Sequence, residues 1–326
     1  MRILITGGAG FIGSHLAEAL LLKGNEIYII DDLSTGSLQN IQLLKDNCPQ
    51  NTKMFFYENS ILDHDILLDL VGTCDMVYHL AAAVGVRYIL DNPLKSIQIN
   101  IQGTEKVLEL CARFKKKVLI ASSSEVYGKH LHAPLIETDN LIYGPSSKFR
   151  WSYAASKLID EFFAIAYNRM NDLEMVIARL FNTVGPRQTG AYGMVIPRFV
   201  QQALNNEPLT VYGDGTQTRT FTHVKDVVKA LILLMNTQSA MSEIFNIGGI
   251  QEISIKELAQ KIIDMSHSSS TIKCIPYEKA FEKDFEDMQR RVPSIEKIAQ
   301  YTGFKPHYTL DNILEEVIAY FSEKKM

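Results

Sequence analysis

A glycine-rich segment near the N-terminus, TGGAGFIG at residues 6–13, constrains the fold of this chain more than any other feature. It follows the apolar run MRILIT and precedes an amphipathic stretch at 11–23, so a strand, a tight turn and a helix are expected in that order. Gly7, Gly10 and Gly13 permit the turn and allow a phosphate group to approach the helix N-terminus. The segment therefore predicts a dinucleotide site on the first βαβ unit of an α/β fold.

Strand and helix signals alternate through the first half of the chain. Further strand signals are found at 26–30, 54–57, 76–79, 117–121 and 174–178, with helical stretches between most of them, notably 94–114 and 153–170. Strands separated by helices pair in parallel, and helices cover both faces of the sheet. We therefore predict an α/β fold with a Rossmann-type doubly wound parallel sheet.

The pattern changes after the last of these strands, where shorter elements are separated by glycine and proline. We predict a dinucleotide-binding domain at 1–180, to which 219–247 returns because its apolar segments again fit elements that pack on a sheet. A smaller C-terminal region, formed by 181–218 and 248–326, is expected to bind the substrate.

Asp31 ends the second predicted strand. A carboxylate at this position accepts hydrogen bonds from the adenosine ribose hydroxyls of a dinucleotide. The segment 31–36 contains no lysine or arginine that would pair with a 2′-phosphate. The sequence therefore favours NAD over NADP as the cofactor.

A tyrosine and a lysine four residues apart, Tyr153 and Lys157, open a long predicted helix. One helical turn places both side chains on the same face. A nearby ammonium group and the positive charge of a nicotinamide would lower the pKa of the phenol toward neutrality, which makes Tyr153 a usable base. The hydroxyl-rich segment 122–128 ends an earlier strand, and a serine there would bridge Tyr153 and a sugar hydroxyl.

Composition excludes several other classes of function. The chain has 33 basic and 37 acidic residues, a net charge of −4, which is unfavourable for binding nucleic acid. It contains no apolar run of the ~20 residues that a membrane helix needs, and no signal peptide is expected. Cys48, Cys74, Cys111 and Cys274 form no CxxC pair, so they indicate reduced thiols rather than disulfides or a metal site. We predict a cytoplasmic protein.

Further segments occur along nearly the whole chain, in the order TGGAGFIG at 6–13, DDLSTG at 31–36, YHLAA at 78–82, SSSEVYG at 122–128, YAASK at 153–157, RLFNTVGPR at 179–187, PLTVYGDGTQTRTFTHVKDV at 208–227 and FNIGG at 245–249. In this combination the chain resembles the extended short-chain dehydrogenase/reductase family, and within it the nucleotide-sugar epimerases, dehydratases and decarboxylases. The resemblance implies an NAD-dependent enzyme that acts on a nucleotide-diphospho-sugar, with UDP as the nucleotide, through transient oxidation at C4.

The resemblance also implies which residues form the sites. The expected catalytic residues are Ser123, Ser124, Glu125, Tyr153 and Lys157. The expected cofactor contacts are Gly7, Gly10, Phe11, Ile12, Gly13, Asp31, Asp32, Ser60, Ile61, Leu80 and Lys157. The expected substrate contacts are Arg87, Asn100, Asn182, Val195, Tyr212, Arg219 and Arg291. Guanidinium groups suit the oxygens of a diphosphate or, for Arg87, a substrate carboxylate.

The chain departs from the family pattern at two positions. Ser60 stands where the family often has an aspartate that holds the adenine, and Ser294 replaces the aspartate of a C-terminal Arg-x-Pro-Asp. Cofactor contacts near Ser60 are therefore expected to be weaker or different.

Glu125 discriminates among the reactions of the family. Ser-Glu at 124–125 is similar to UDP-glucuronate decarboxylases, and GPSSKFRWSY at 144–153 is similar to a bacterial decarboxylase that produces a 4-keto-pentose. Decarboxylation of a UDP-hexuronic acid is therefore the first hypothesis. The segment 179–187 and the C-terminal half resemble 4-epimerases as much as decarboxylases, so 4-epimerisation is the alternative. A 4,6-dehydratase is the least favoured, because Ser124 replaces the aspartate of dTDP-glucose dehydratases.

A homodimer is also expected. The predicted helices at 94–114 and 153–170 carry apolar residues on more than one face, including Phe162 and Phe163. The family pairs these helices into an intersubunit four-helix bundle. An enzyme of this kind would serve polysaccharide biosynthesis.

Overall fold

The computed structural model of the protein describes residues 1–48, 52–85, 89, 91–130, 132–190, 194–276 and 288–325. Its strands are β1 Arg2–Thr6, β2 Glu26–Asp31, β3 Met54–Glu58, β4 Met76–His79, β5 Lys117–Ser123, β6 Met175–Leu180, β7 Thr183–Val184, β8 Leu209–Tyr212, β9 Thr218–Thr220, β10 Thr222–His223, β11 Glu243–Ile247, β12 Glu252–Ser254, β13 Ile272–Ile275 and β14 Arg290–Arg291. Its helices are α1 Phe11–Leu21, α2 Leu38–Asn47, α3 His64–Thr73, α4 Pro93–Arg113, α5 Trp151–Asn171, α6 Val195–Leu204, α7 Val224–Met235, α8 Ile255–Met265, α9 Glu296–Thr302 and α10 Leu310–Glu323.

Seven strands form one parallel sheet in the order β3-β2-β1-β4-β5-β6-β11. Successive residues of β1 point to opposite faces, so Ile3 and Ile5 belong to one hydrophobic cluster and Leu4 to another. Helices α1, α2, α7 and α9 supply the first cluster, and α3, α4 and α5 supply the second. The predicted α/β fold with a doubly wound parallel sheet is confirmed.

A third hydrophobic cluster lies in the C-terminal region, where α6, α8 and α10 pack together with Leu209 and Val211 of β8. Three short sheets accompany it, with the strand orders β12-β9-β14, β13-β8 and β10-β7. Within the segment expected to return to the first domain, α7 packs against α1 and β11 pairs with β6, whereas β9 pairs with β12 and β14. The bounds of the two domains stay a prediction.

Strand β5 runs to Ser123, two residues beyond its predicted end. A 3-10 turn at Ser124–Tyr127 follows, and the Ser123 hydroxyl accepts a hydrogen bond of 3.2 Å from the Glu125 amide at its start. This turn brings Ser123 and Glu125 to the carboxyl edge of the sheet.

Among the described helices, none combines the length and apolar character needed to cross a bilayer.

Candidate active site

A cavity of about 750 Å³ opens at the carboxyl ends of the parallel strands. In open α/β sheets, ligands bind at this edge. The glycine turn, the ends of β2 and β5, the segments after β4 and β6, the start of α6 and the end of α10 all contribute to its lining.

The glycine turn brings backbone close to the cavity. Gly7 has φ +72°, and a Cβ there would lie 2.7 Å from the Ala81 amide nitrogen. A Cβ on Gly13 would collide with the carbonyl oxygen of Gly7, so helix and turn pack without side chains between them. The N-cap of α1, Gly10, provides no side-chain hydrogen bond. Backbone N–H groups therefore remain at a helix N-terminus beside the cavity, which suits a pyrophosphate.

Asp31 is buried at the end of β2 and lines the cavity. Its carboxylate accepts hydrogen bonds of 2.9 Å from the amides of Ala9 and Leu33. Burial raises the pKa of the Asp31 carboxyl, and these two hydrogen bonds oppose that shift. Of the residues expected to contact the cofactor, all except Lys157 line the cavity.

Tyr153 lies in the first turn of α5, lines the cavity and is hydrogen-bonded to Ser123. Burial raises the pKa of its phenol above the ordinary value, and the negative charge of Glu125 raises it further. The expected lowering of this pKa depends in part on the positive charge of a nicotinamide, so it stays a prediction for the protein with its cofactor bound.

Lys157 is buried one turn after Tyr153 and does not line the cavity. Its Nζ lies 2.8 Å from the Oδ2 atom of Asp160, three residues further along α5. The Asp160 carboxylate therefore balances the charge of the Lys157 ammonium. The spacing of Tyr153 and Lys157 predicted that they share a helix face, but it did not predict that Asp160 is the counter-ion of Lys157.

Glu125 is held between two arginines at the cavity wall. Its Oε1 atom lies 2.6 Å from Nη1 of Arg291, and its Oε2 atom lies 3.4 Å from Nη2 of Arg150. All three side chains line the cavity. Arg150 was not among the predicted site residues, although it belongs to the segment 144–153 and stands three residues before Tyr153. From the sequence alone, an arginine at the start of a helix is expected to be exposed to solvent. Only the fold shows that Arg150 contacts Glu125.

The residues expected to contact the substrate separate into two groups. Asn182, Val195 and Arg291 line the cavity. Asn100 lies behind it, where its side chain accepts from the Ala83 amide at 2.8 Å and donates to the Ser156 hydroxyl at 3.1 Å. Arg87, which was expected near a substrate carboxylate, lies outside the described residues.

Tyr212 and Arg219 also do not line the cavity. The guanidinium group of Arg198 lies 4.4 Å from the centre of the Tyr212 ring. Arg219 is buried and donates a 2.8 Å hydrogen bond to the carbonyl of Thr218. The roles of both residues as substrate contacts stay predictions.

Several lining residues were not predicted. Arg187, Gln188 and Thr189 follow β7, and Tyr320, Phe321 and Lys324 come from the last helix. Lys324 Nζ lies 3.4 Å from Oε1 of Gln39 at the start of α2. No sequence signal connects the ends of the chain, because their proximity is created only by the packing of α10.

The chain was compared with known proteins. The family model "GDP-mannose 4,6 dehydratase" matches residues 4–317. The UDP-N-acetyl-alpha-D-glucosaminuronate decarboxylase of Bacillus cytotoxicus is 42% identical over 99% of this chain and 98% of its own length. UDP-glucuronic acid decarboxylase 1 of Danio rerio is 36% identical over 99% of this chain and 73% of its own length.

Among solved structures, the UDP-glucuronic acid 4-epimerase of Bacillus cereus, in complex with UDP-glucuronic acid and NAD, is 31% identical. It matches with a TM-score of 0.86 and covers 99% of this chain and 100% of its own. The sequence matches and the shared fold lead to one conclusion: this chain belongs to the GDP-mannose 4,6-dehydratase-like family of short-chain dehydrogenase/reductases.

Proposed function

We propose that the protein uses NAD to decarboxylate a UDP-hexuronic acid, UDP-glucuronate or its 2-N-acetyl analogue, to a UDP-pentose through transient oxidation at C4. The observation that carries this proposal is Glu125 held by Arg150 and Arg291 in the cavity that Tyr153 lines. The 42% identity to a UDP-N-acetyl-alpha-D-glucosaminuronate decarboxylase supports it.

The chain's own residues fit NAD. The backbone of the glycine turn packs so closely that a Cβ on Gly7 or Gly13 would collide with it, and Asp31 lies at the cavity beside the turn. We propose that the turn and the N-terminus of α1 hold the pyrophosphate, with Asp31 on the adenosine ribose. When bound, the nicotinamide supplies a reversible hydride acceptor for C4 of the sugar.

Tyr153 is the proposed base. Its phenolate removes the proton of the C4 hydroxyl once the positive charge of a bound nicotinamide has lowered the pKa of the phenol, and the Ser123 hydroxyl beside it orients both oxygens. The 4-ketone that forms makes the substrate a β-keto acid. The C5–C6 bond then breaks, CO2 leaves, and the bonding electrons form an enolate that accepts a proton at C5. Return of the hydride to C4 and of the Tyr153 proton to the C4 oxygen then gives the UDP-pentose.

The Glu125 cluster is proposed to act in the second step. Two guanidinium groups and one carboxylate carry a net positive charge, which complements the C6 carboxylate of the substrate. Because both oxygens of Glu125 face guanidinium groups, its charge is balanced, and repulsion of the substrate carboxylate is the weaker account. Holding a water that brings a solvent proton to C5 is the stronger one, because an ionised carboxylate has no proton of its own to donate.

A second candidate is C4 epimerisation of a UDP-hexose or of UDP-glucuronate. The fold match to the Bacillus cereus UDP-glucuronic acid 4-epimerase favours it. A 4,6-dehydratase is disfavoured because Ser124 precedes Glu125 where those enzymes that act on dTDP-glucose have an acid.

Incubation with four candidate substrates separates these reactions. The substrates are UDP-glucuronate, UDP-N-acetylglucosaminuronate, UDP-glucose and UDP-N-acetylglucosamine, and the products are identified by mass spectrometry. We expect loss of the mass of CO2 from one of the uronates. An unchanged mass with inverted C4 stereochemistry would instead establish the epimerase.

Cofactor preference gives a first testable prediction. The 2′-phosphate of NADP would face the buried Asp31 carboxylate. Because two like charges brought together repel each other by several kcal/mol, NAD should bind roughly 100-fold more tightly than NADP. Asp31→Asn should reduce that ratio, and Asp46→Asn, an exposed residue of α2, should not. Calorimetric titration measures both affinities; equal affinities for wild type would contradict the role of Asp31.

The oligomeric state gives a second prediction. Phe163 packs on the core, whereas Phe162 is 61% exposed and Ile159, three residues earlier and next to Phe162 on the helix surface, is 39% exposed. We propose that this side pairs with a second copy in a homodimer. Light scattering should give a dimer for wild type and a monomer for Phe162→Glu. Leu22→Glu, at a residue 62% exposed beyond α1, should remain dimeric; a monomeric wild type would refute the proposal.

We further infer a cytoplasmic enzyme of polysaccharide biosynthesis that binds neither nucleic acid nor membranes. The net charge of −4 supports the first exclusion. Cys48, Cys74, Cys111 and Cys274 are free thiols in the structure, which fits a reducing compartment.

A further inference from the structure

A buried ion pair adjoins the end of the strand that carries Ser123. Its members are Glu161 of α5 and Arg179 of β6, which are 2% and 4% exposed. Arg179 donates through Nε and Nη2 to the two carboxylate oxygens of Glu161, at 2.9 and 2.7 Å. Neither residue lines the cavity. Any effect of this pair on a reaction in the cavity therefore passes through the residues that the pair holds.

The pair holds the residue directly before Ser123. Ser122 of β5 lies opposite Arg179 of β6 in the parallel sheet, and its hydroxyl donates to Oε1 of Glu161 at 2.5 Å. Strands β5 and β6 and helix α5 therefore meet at one carboxylate. The next residue, Ser123, accepts the Glu125 amide at 3.2 Å and so begins the 3-10 turn.

Arg179 also contacts the last residue of that turn. Its guanidinium group lies 4.8 Å from the centre of the Tyr127 ring, and its Nη1 atom donates to the Glu137 carbonyl at 3.1 Å. The Tyr127 hydroxyl donates to Oδ1 of Asn246 of β11 at 2.7 Å. Both ends of residues 122–127, here called the active-site turn, are thus attached to the same buried network. A lysine has neither the fork nor the flat face that these contacts use.

We propose that Arg179 is a positioning residue of the active site, which acts through Glu161 and Tyr127 to fix both ends of the active-site turn and thereby the places of Ser123 and Glu125. A buried polar network whose members are satisfied specifies one arrangement of the groups attached to it. The proposal rests on the proposed function in one respect, the role of Glu125 in the release of CO2.

The first test does not depend on turnover. Hydrogen exchange of the full-length protein as purified is followed by mass spectrometry of the peptide that contains the active-site turn, whose protected amides include that of Glu125. Arg179→Lys should raise the exchange rate of this peptide roughly tenfold, because the lysine keeps the charge and loses hydrogen bonds to a carboxylate. Exchange in β1 should stay as in wild type, which separates local opening from a global loss of stability. Arg2→Lys, at an exposed arginine that begins β1, is the control and should change nothing at the turn.

The second test asks whether Arg179 acts through Glu125. Rapid mixing with a UDP-hexuronate measures the rate of CO2 release after NADH has formed. Arg179→Lys should lower this rate by up to roughly 10²-fold, the loss that a displacement of ~1 Å can cause, with KM nearly unchanged. In a Glu125→Gln background the same substitution should cause little further loss, because the group that it displaces is already absent. An equal loss in both backgrounds would indicate a purely structural role and overturns the proposal.

A milder variant keeps the proposal testable if Arg179→Lys does not fold, as checked by thermal unfolding. Ser122→Ala removes one hydroxyl from the network and leaves the ion pair in place. Its control is Ser96→Ala, which removes another buried hydroxyl, one that donates to the Asn92 carbonyl at 2.8 Å. Unchanged exchange at the active-site turn in a folded variant overturns the proposal. Absence of turnover on every UDP-sugar would refute the proposed function, and the exchange rates would then decide whether Arg179 holds the turn.

Discussion

Tyr153→Phe is expected to stop the reaction before any chemistry on the sugar, with turnover lowered by roughly 10²–10⁴-fold. The variant keeps the ring and loses only the hydroxyl that is hydrogen-bonded to Ser123 and lines the cavity. Without it, no group at that position removes the C4 proton, so neither NADH nor CO2 should form. Absorbance of NADH and mass spectrometry of the sugar measure the two products.

The control is Tyr167→Phe, which makes the same change on the same helix at a residue that packs against the core. It should turn over at nearly the wild-type rate. Calorimetry should show that Tyr153→Phe still binds NAD, because the glycine turn and Asp31 are untouched. A Tyr153→Phe variant that produces NADH at the wild-type rate would exclude Tyr153 as the base.

Glu125→Gln is expected to separate the two halves of the reaction. The amide keeps the shape of the side chain and removes the charge that faces Arg150 and Arg291. Oxidation at C4 depends on Tyr153, so NADH should still form from a bound uronate. Release of CO2 should fall by the roughly 10²–10⁴-fold that is typical of general acid–base groups. Rapid mixing with a UDP-hexuronate, with NADH and CO2 followed in parallel, measures both steps.

Glu207→Gln, at an exposed residue after α6, controls for the same substitution away from the cavity and should behave as wild type. The epimerase hypothesis predicts a different outcome, in which Glu125→Gln leaves the turnover of a neutral UDP-hexose largely intact. If the variant matches wild type on every substrate, Glu125 has a structural role and decarboxylation loses its main support.

The N-terminal strand, turn and helix of the fold were predictable from local sequence patterns. Strand β1, the glycine turn and helix α1 follow from hydrophobic periodicity and from glycines that no other residue replaces at these contacts. Asp31 follows from its place at the end of β2. These features depend on neighbours within a few residues, which is the range over which backbone conformation and side-chain spacing act.

Function-bearing contacts were less predictable, because they join distant parts of the chain. Glu125 and Arg291 are 166 positions apart in number and meet because β14 lies beside β9 in the C-terminal sheet. The contact between Lys324 and Gln39 likewise joins residues that are far apart in sequence and could not be predicted from it. For Tyr212 and Arg219, family resemblance suggested substrate contacts; neither residue lines the cavity, and both contacts stay predictions.

The sequence by itself determined the order of strands and helices, the glycine turn, Asp31 and the shared helix face of Tyr153 and Lys157, because each depends on local spacing. Only the tertiary structure decided which charges face one another. It placed Arg150 and Arg291 on Glu125, and it paired the buried Lys157 with Asp160. The physical reason is that an ionisable group in a protein interior takes its state from whatever charges and donors surround it in space, and spacing along the chain does not specify those neighbours.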